Sequence, residues 1–225
     1  MPNLFAFSNI GVPTVYKNGV RDAGLPVTLT EAKAQLLIPT AVTTWDTYLT
    51  GLINASMAYF EKFTRQILIS RTFTGYLNDF PNDSFLIEKA PLISITSVKY
   101  YDTDNVLQTV TDTNYYITES NYYSYLMFIN TYTYPSTYDR PQIVQVEFKA
   151  GLCTDDTDCP ADIKQGLLQI IAYWWENRGD TSGSGRYGQG NRSVPQVAKD
   201  LFFPYKILKV ITKAQPISFI GGSYR

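Results

Sequence analysis

One stretch limits this chain more than any other. Cys159-Pro160-Ala161-Asp162-Ile163-Lys164-Gln165-Gly166-Leu167-Leu168-Gln169-Ile170-Ile171-Ala172-Tyr173-Trp174-Trp175-Glu176-Asn177-Arg178 reads as a single helix. Pro160 suits a first helical position, where no backbone donor is needed, and Asp158 is placed to cap it. Ile163, Leu167, Ile170, Ile171 and Trp174 recur at helical spacing and predict a core-facing stripe. Leu168 and Trp175 lie off that stripe, so the apolar surface is wider than one contact requires. Such a helix is either deeply buried or shared between a core and a neighbouring subunit.

The rest of the chain supplies the partners for that helix. Thr28-Leu29-Thr30-Glu31 has capping-box spacing and predicts a short helix to about Ile38, stopped by Pro39. A second helix is expected from near Thr44 to about Arg65, with Asp46 in its first turn. Tyr48, Leu49, Leu52, Ile53, Ser56, Tyr59, Phe60 and Phe63 keep its period. From Gln66 to Ala150 the pattern changes to β-branched and aromatic runs, at Ile67–Tyr76, Phe85–Glu88, Ile93–Tyr101, Asn114–Thr118, Tyr125–Asn130 and Ile143–Phe148. Asp102-Thr103-Asp104-Asn105 is a hairpin turn signal.

The fold expected is therefore α+β: a small α-helical bundle with an inserted antiparallel β module of about five or six strands and an extended C-terminal tail. Its parts are an N-terminal arm (1–26), the bundle (27–65 and 151–205), the β module (66–150), a Gly/Ser-rich linker (179–193) and the tail (206–225).

Composition narrows the chemistry. The 225 residues are 44% apolar, enough for a real core, with a formal net charge of −1. That balance argues against a dedicated nucleic-acid binder. There is no histidine, which removes the usual general base and the commonest metal ligand. Cys153 and Cys159 are too few for a disulfide scaffold or a structural zinc site; they read as free thiols or a local disulfide. Asp155, Asp156, Asp158 and Asp162 lack EF-hand spacing. Gly183–Gly190 lacks the Gly-Lys-Ser/Thr ending of a phosphate loop. Glu31, Glu61, Glu88, Glu147 and Glu176 show no acid–base pairing. No catalytic residue, cofactor or metal is expected, and the chain is read as no enzyme. No apolar run approaches the ~20 residues of a membrane span and no signal peptide is evident, so a soluble cytosolic chain without membrane contact is expected.

Charge and aromatics are unevenly placed. Ten of the 18 tyrosines fall between Tyr100 and Tyr138, a stretch without Lys or Arg. Strand propensity, interface use and sugar stacking all favour tyrosine there. Beyond Thr181 the cations Arg186, Arg192, Lys199, Lys206, Lys209, Lys213 and Arg225 face only Asp200.

Three segments taken together resemble the head–tail connector (adaptor, or head-completion) proteins of tailed phages. They are Val27–Leu37 with the helix ending Phe60-Glu61-Lys62-Phe63-Thr64-Arg65; Val146-Glu147-Phe148-Lys149-Ala150-Gly151 leading to Pro160–Gln165 and Tyr173–Arg178; and Val194–Ala198 with Phe203-Pro204-Tyr205-Lys206. The resemblance implies a neck ring of about twelve copies under the portal, linking head to stopper or tail around the DNA channel without sequence-specific DNA binding. Assembly in the host cytoplasm and a place in the virion follow from it. Subunit contacts are expected at Ile163, Leu167, Leu168, Ile171, Trp174 and Trp175. Portal contacts are expected at Phe203, Pro204, Tyr205, Lys206, Ile207, Lys209, Lys213, Phe219, Tyr224 and Arg225, on a tail leaving its own subunit after the linker. Two alternatives stand beside this: a glycan- or receptor-binding β module on a helical base, and a DNA-packaging factor using the basic tail.

Overall fold

A computed structural model of the chain describes residues 10–11, 15–22, 24–81, 84–119, 123–178 and 194–208. The expected linker at 179–193 and the tail beyond Leu208 lie outside the described residues. The fold is α+β, with four α-helices beside two sheets among the described residues.

The first strands are β1 (Ile10–Gly11) and β2 (Val15–Arg21). Helix α1 (Leu29–Gln35) begins with the capping box: Glu31 N–H donates to Thr28 Oγ1 at 3.1 Å, and Thr28 N–H to Glu31 Oε2 at 2.7 Å. It ends earlier than Pro39 would impose. Leu37 turns left-handed at φ 56°, with Leu37 N–H on Ala34 O and Ile38 N–H on Lys33 O at 2.9 Å. That is a Schellman closure with leucine where glycine is usual. Helix α2 (Asp46–Thr64) closes on a left-handed Arg65.

Strands β3 (Arg71–Leu77), β4 (Ser84–Ile87), β5 (Leu92–Tyr101), β6 (Leu107–Val110), β7 (Tyr115–Glu119), β8 (Ser124–Phe128) and β9 (Val144–Ala150) follow. They form a five-stranded sheet, β2-β3-β9-β5-β6, and a four-stranded one, β1-β4-β8-β7. All ladders are antiparallel except β1 with β4. In β9, Val144, Val146, Phe148 and Ala150 point inward while Gln145, Glu147 and Lys149 alternate outward. The inward residues meet Phe85, Ile87, Leu126 and Phe128 of the smaller sheet in one shared core.

The N-terminal residues depart from the expected arm. Val15–Arg21 is a strand in register with β3, from Val15 opposite Tyr76 to Arg21 opposite Arg71. Its alternation is hidden because Asn18-Gly19, a turn signal elsewhere, sits at a register shift here.

After β9, Gly151 passes so close to Ser70 that an added Cβ would lie 2.3 Å from its Cα. Helix α3 (Ala161–Glu176) then starts on Pro160 without a side-chain cap. Asp158 is engaged one turn earlier, accepting from Thr154 N–H at 2.9 Å and Asp155 N–H at 3.1 Å, so it closes the loop instead of capping the helix. Helix α4 (Gln196–Phe202) and a 3-10 turn (Phe203–Tyr205) follow. Phe202 occupies the space left by Gly166 of α3, where a Cβ would meet its Cε1 at 2.3 Å. Its ring also meets Phe60 of α2 edge-on at 4.9 Å. These contacts bring α2, α3 and α4 into one core with Val27, Leu68, Ile69 and Leu167.

Candidate functional site

Nothing in the described residues gathers three His, Cys, Asp or Glu side chains into a group able to hold a metal ion. Three of the titratable groups that shift do so in structural pairs. Burial opposes ionisation of Glu31. Hydrogen bonds from Lys164, 2.5 Å away, and from Thr28 outweigh it and hold the carboxyl below its usual range. The Cys159 contact, then burial, pushes the Cys153 thiol up; both cysteines are buried and free. Burial and a hydrogen bond to Asp162 push the Tyr205 hydroxyl up to about 12. Each arrangement ties one element to another: α1 to α3, the loop to itself, the C-terminal turn to α3.

The surfaces are more telling. Helices α2 and α3 run antiparallel, since Trp45 at the start of α2 meets Trp175 at the end of α3, with ring centroids 5.4 Å apart. At the far end Tyr205 touches both Phe60 and, through its hydroxyl, Asp162 at 2.9 Å. The two ends are about 28 Å apart along α2, at ~1.5 Å per residue.

The structure divides the expected subunit-contact residues. Ile163, Leu167 and Ile171 have 0% exposure, because the chain's own α1, α2 and α4 cover them. They have no surface left for a neighbour, which corrects the expectation. Leu168 and Trp174 are half-buried against the same core. Trp175 is half-buried at the open end, packed edge-on with Trp45, tilted against Tyr48 at 5.9 Å and covered by the Arg178 guanidinium at 4.0 Å.

The C-terminal set divides as well. Ile207 is buried and its N–H donates to Thr64 O at 2.8 Å. Gln66 Nε2 donates to Tyr205 O at 2.7 Å, and the Lys206 ammonium lies 4.8 Å over the Phe63 ring. So Val194–Ile207 docks on its own chain, correcting the expectation that the chain leaves its own subunit directly after the linker. Phe203 (64% exposed), Pro204 and Leu208 remain outside. Lys209, Lys213, Phe219, Tyr224 and Arg225 lie beyond the described residues.

The tyrosine-rich segment is divided between core edge and surface. Tyr132 stacks on Phe128 at 5.3 Å, Tyr100 packs on Phe80 at 5.5 Å, and Tyr134 donates to Pro81 O at 3.0 Å. Tyr116, Tyr134 and Tyr138 are exposed. Sequence reasoning gave no role to Leu37 (91% exposed) or Trp45 and put Tyr48 on the apolar stripe of α2, yet these three with Trp175 frame the open end. Its one signal was Leu36-Leu37-Ile38, three apolar residues where one helix face buries fewer.

No family model matches the chain, and no curated protein matches it. Solved structures do. A subunit in the neck of an empty gene transfer agent particle, computed with C6 symmetry, superposes with a TM-score of 0.70 at 18% identity, over 88% of this chain and 98% of that one. A chain of the native gene transfer agent virion gives 0.68 with the same identity and coverage. A chain of the native particle's neck, computed with C12 symmetry, gives 0.65, again with that identity and coverage. At this identity the likeness is one of fold.

Proposed function

We propose that this chain is a structural head–tail adaptor of a tailed phage or phage-like particle. Copies form a ring under the portal, about twelve of them by analogy with the C12 neck. The ring joins the head to the stopper or tail and surrounds the DNA channel without reading sequence. Its place is the virion neck, after assembly in the host cytoplasm, and its role is mechanical, with no chemistry of its own.

The observation that carries this reading is the whole-length likeness to neck subunits, which spans both the sheets and the helices. The packing supports it: apolar side chains exposed at both ends of the α2–α3 pair suit a subunit held between neighbours. In this reading residues 209–225 make the portal contact, with Lys209 and Lys213 meeting acidic portal surface. Avidity comes from many identical weak contacts.

The test is to mix the protein with the cognate portal ring and image the sedimented complex by electron microscopy. A collar on the portal's narrow end is expected. Free protein beside intact portal would sink the reading. Truncation after Leu208 should abolish attachment and leave thermal unfolding unchanged, because Tyr205 and Ile207 stay in place. Attachment by the truncated chain would remove the tail from that role.

A further inference from the structure

We infer that neighbouring copies join head to tail: the open end built by Leu37, Trp45, Tyr48 and Trp175 receives Phe203 and Leu208 of the next copy. The inference rests on the ring reading above for its choice of a second copy as the occupant.

Leu37 is the first observation. It holds a left-handed conformation that glycine adopts freely and that costs a leucine roughly 1 kcal/mol. The Schellman hydrogen bonds of Leu37 and Ile38 offset the turn itself, but the Leu37 side chain is 91% exposed and packs on nothing that would favour leucine over glycine there. Leu37 is therefore apolar surface that the isolated subunit does not use.

Position is the second observation. The two exposed apolar clusters are chemically alike, yet built from different residues at opposite ends of the antiparallel α2–α3 pair. Two unlike patches on opposite ends make a heterologous contact, which propagates and gives a ring where the rotation between copies closes; a two-fold contact would need one self-complementary patch. Charge adds little. Glu176 and Arg178 offset each other at the open end, while Lys62, Arg65 and Lys206 surround the other.

Area is the third. With a whole aromatic side chain offering about 150–250 Å², each end presents roughly 300–400 Å². One junction then buries about 700 Å² in total, short of the ~1,200 Å² of a free-standing specific pair. A lone pair is weak, whereas each subunit in a closed ring is held on both sides. This assigns Phe203 to the neighbouring copy and leaves the portal to residues beyond Leu208.

A weak contact is best caught covalently. The full chain carrying Leu37→Cys and Phe203→Cys is oxidised with diamide, which takes up the two electrons and two protons of the thiol pair, and is read on a non-reducing gel. The ends are too far apart to close within one chain. A ladder of oligomers is expected, with Leu208→Cys substituting for Phe203→Cys in a second pair. Single variants should stay monomeric, and a mixture of the Leu37→Cys and Phe203→Cys chains should stop at dimers. Val106→Cys, exposed on the sheets, with Phe203→Cys should cross-link at least about tenfold less, the discrimination of one hot-spot contact. Single variants that dimerise as readily as the mixture would show a two-fold contact and overturn the proposal. So would two test pairs that do no better than the control. A portal collar together with control-level trapping would sink this surface and spare the ring; trapping without a collar would sink the adaptor reading and spare the contact.

Discussion

The sheets and the helices of this protein are closed in different ways. In the sheets, Phe73, Phe85, Phe128 and Phe148 fill a core shared by two faces, and tyrosines such as Tyr100 and Tyr132 add their rings to its edge. Exposed apolar side chains remain there too, spread along strands and turns at Ile93, Val106, Leu107, Tyr116, Ile117 and Tyr138. In the helices the middle is equally dry, with Phe60, Ile163, Leu167 and Phe202 all buried. Both ends, however, stay open, at Leu37, Trp45 and Tyr48 and again at Phe203 and Leu208. The lesson is that aromatic density in a sequence does not locate an interface. Tyr100, Tyr101, Tyr115 and Tyr132 pack at home while Tyr116, Tyr134 and Tyr138 stay exposed, and the helices leave apolar residues open at their ends.

The largest effects should come from breaking each core separately. Phe148→Ala and Phe202→Ala should each cost about 3–5 kcal/mol, followed by chemical denaturation. Phe148→Ala is expected to lower the whole transition. Phe202→Ala should raise amide exchange in α3 and α4 while β9 stays protected, because Phe202 touches only the helical core. Equal opening of β9 in that variant would make the two regions one cooperative unit and end the contrast. A smaller effect should follow from Gly166→Ala. The new Cβ would meet the Phe202 ring edge, so α4 must shift, at a cost of about 1–3 kcal/mol. An unchanged melting temperature would show that α4 is loosely held and weaken the account of the helical core.

What was legible in the sequence was local. Thr28 and Glu31 announce the first turn of α1 because both halves of the capping box lie within one turn. The stripe of α3 and the hairpin turn at Asp102–Asn105 are legible for the same reason. The misses depend on partners far along the chain. Val15–Arg21 becomes a strand only because Arg71–Leu77 is there to pair with it. Val194–Ile207 is a docked segment only because Gly166, Phe60 and Thr64 receive it. Asp158 looked like a helix cap because its competing donors, Thr154 and Asp155, belong to a loop whose shape the sequence does not state. Trp175 was correctly singled out as surplus to the core stripe, but its companions Trp45 and Leu37 come from other elements.

Acid should weaken both regions, the sheets through Asp22 and Asp102 and the helices through Glu31. The folded state holds the Glu31 carboxyl below its ordinary 4.5, so its contribution is present above that pH and is lost as pH falls through the lower folded value. Because Glu31 both caps α1 and pairs with Lys164 of α3, the loss falls on the helices. Glu31→Gln should cost about 1 kcal/mol at pH 7, the worth of a cap, and should flatten the acid dependence of helical stability. An acid profile identical to that of the unsubstituted chain would remove this pair from the account.

The smallest effect should have the opposite sign. Leu37→Gly relieves a left-handed leucine and forfeits almost no burial, since that side chain lies in solvent. Thermal unfolding of the isolated chain should therefore move upward, by about 0.5–1 kcal/mol. Glycine's greater freedom in the unfolded chain subtracts from the gain without cancelling it. A fall in stability instead would mean that Leu37 packs within its own subunit, and the open end would lose its most prominent residue. The expected rise sharpens the contrast: the exposed side chains of the sheets sit on regular strands and turns, whereas the helices carry one that their own fold is better without.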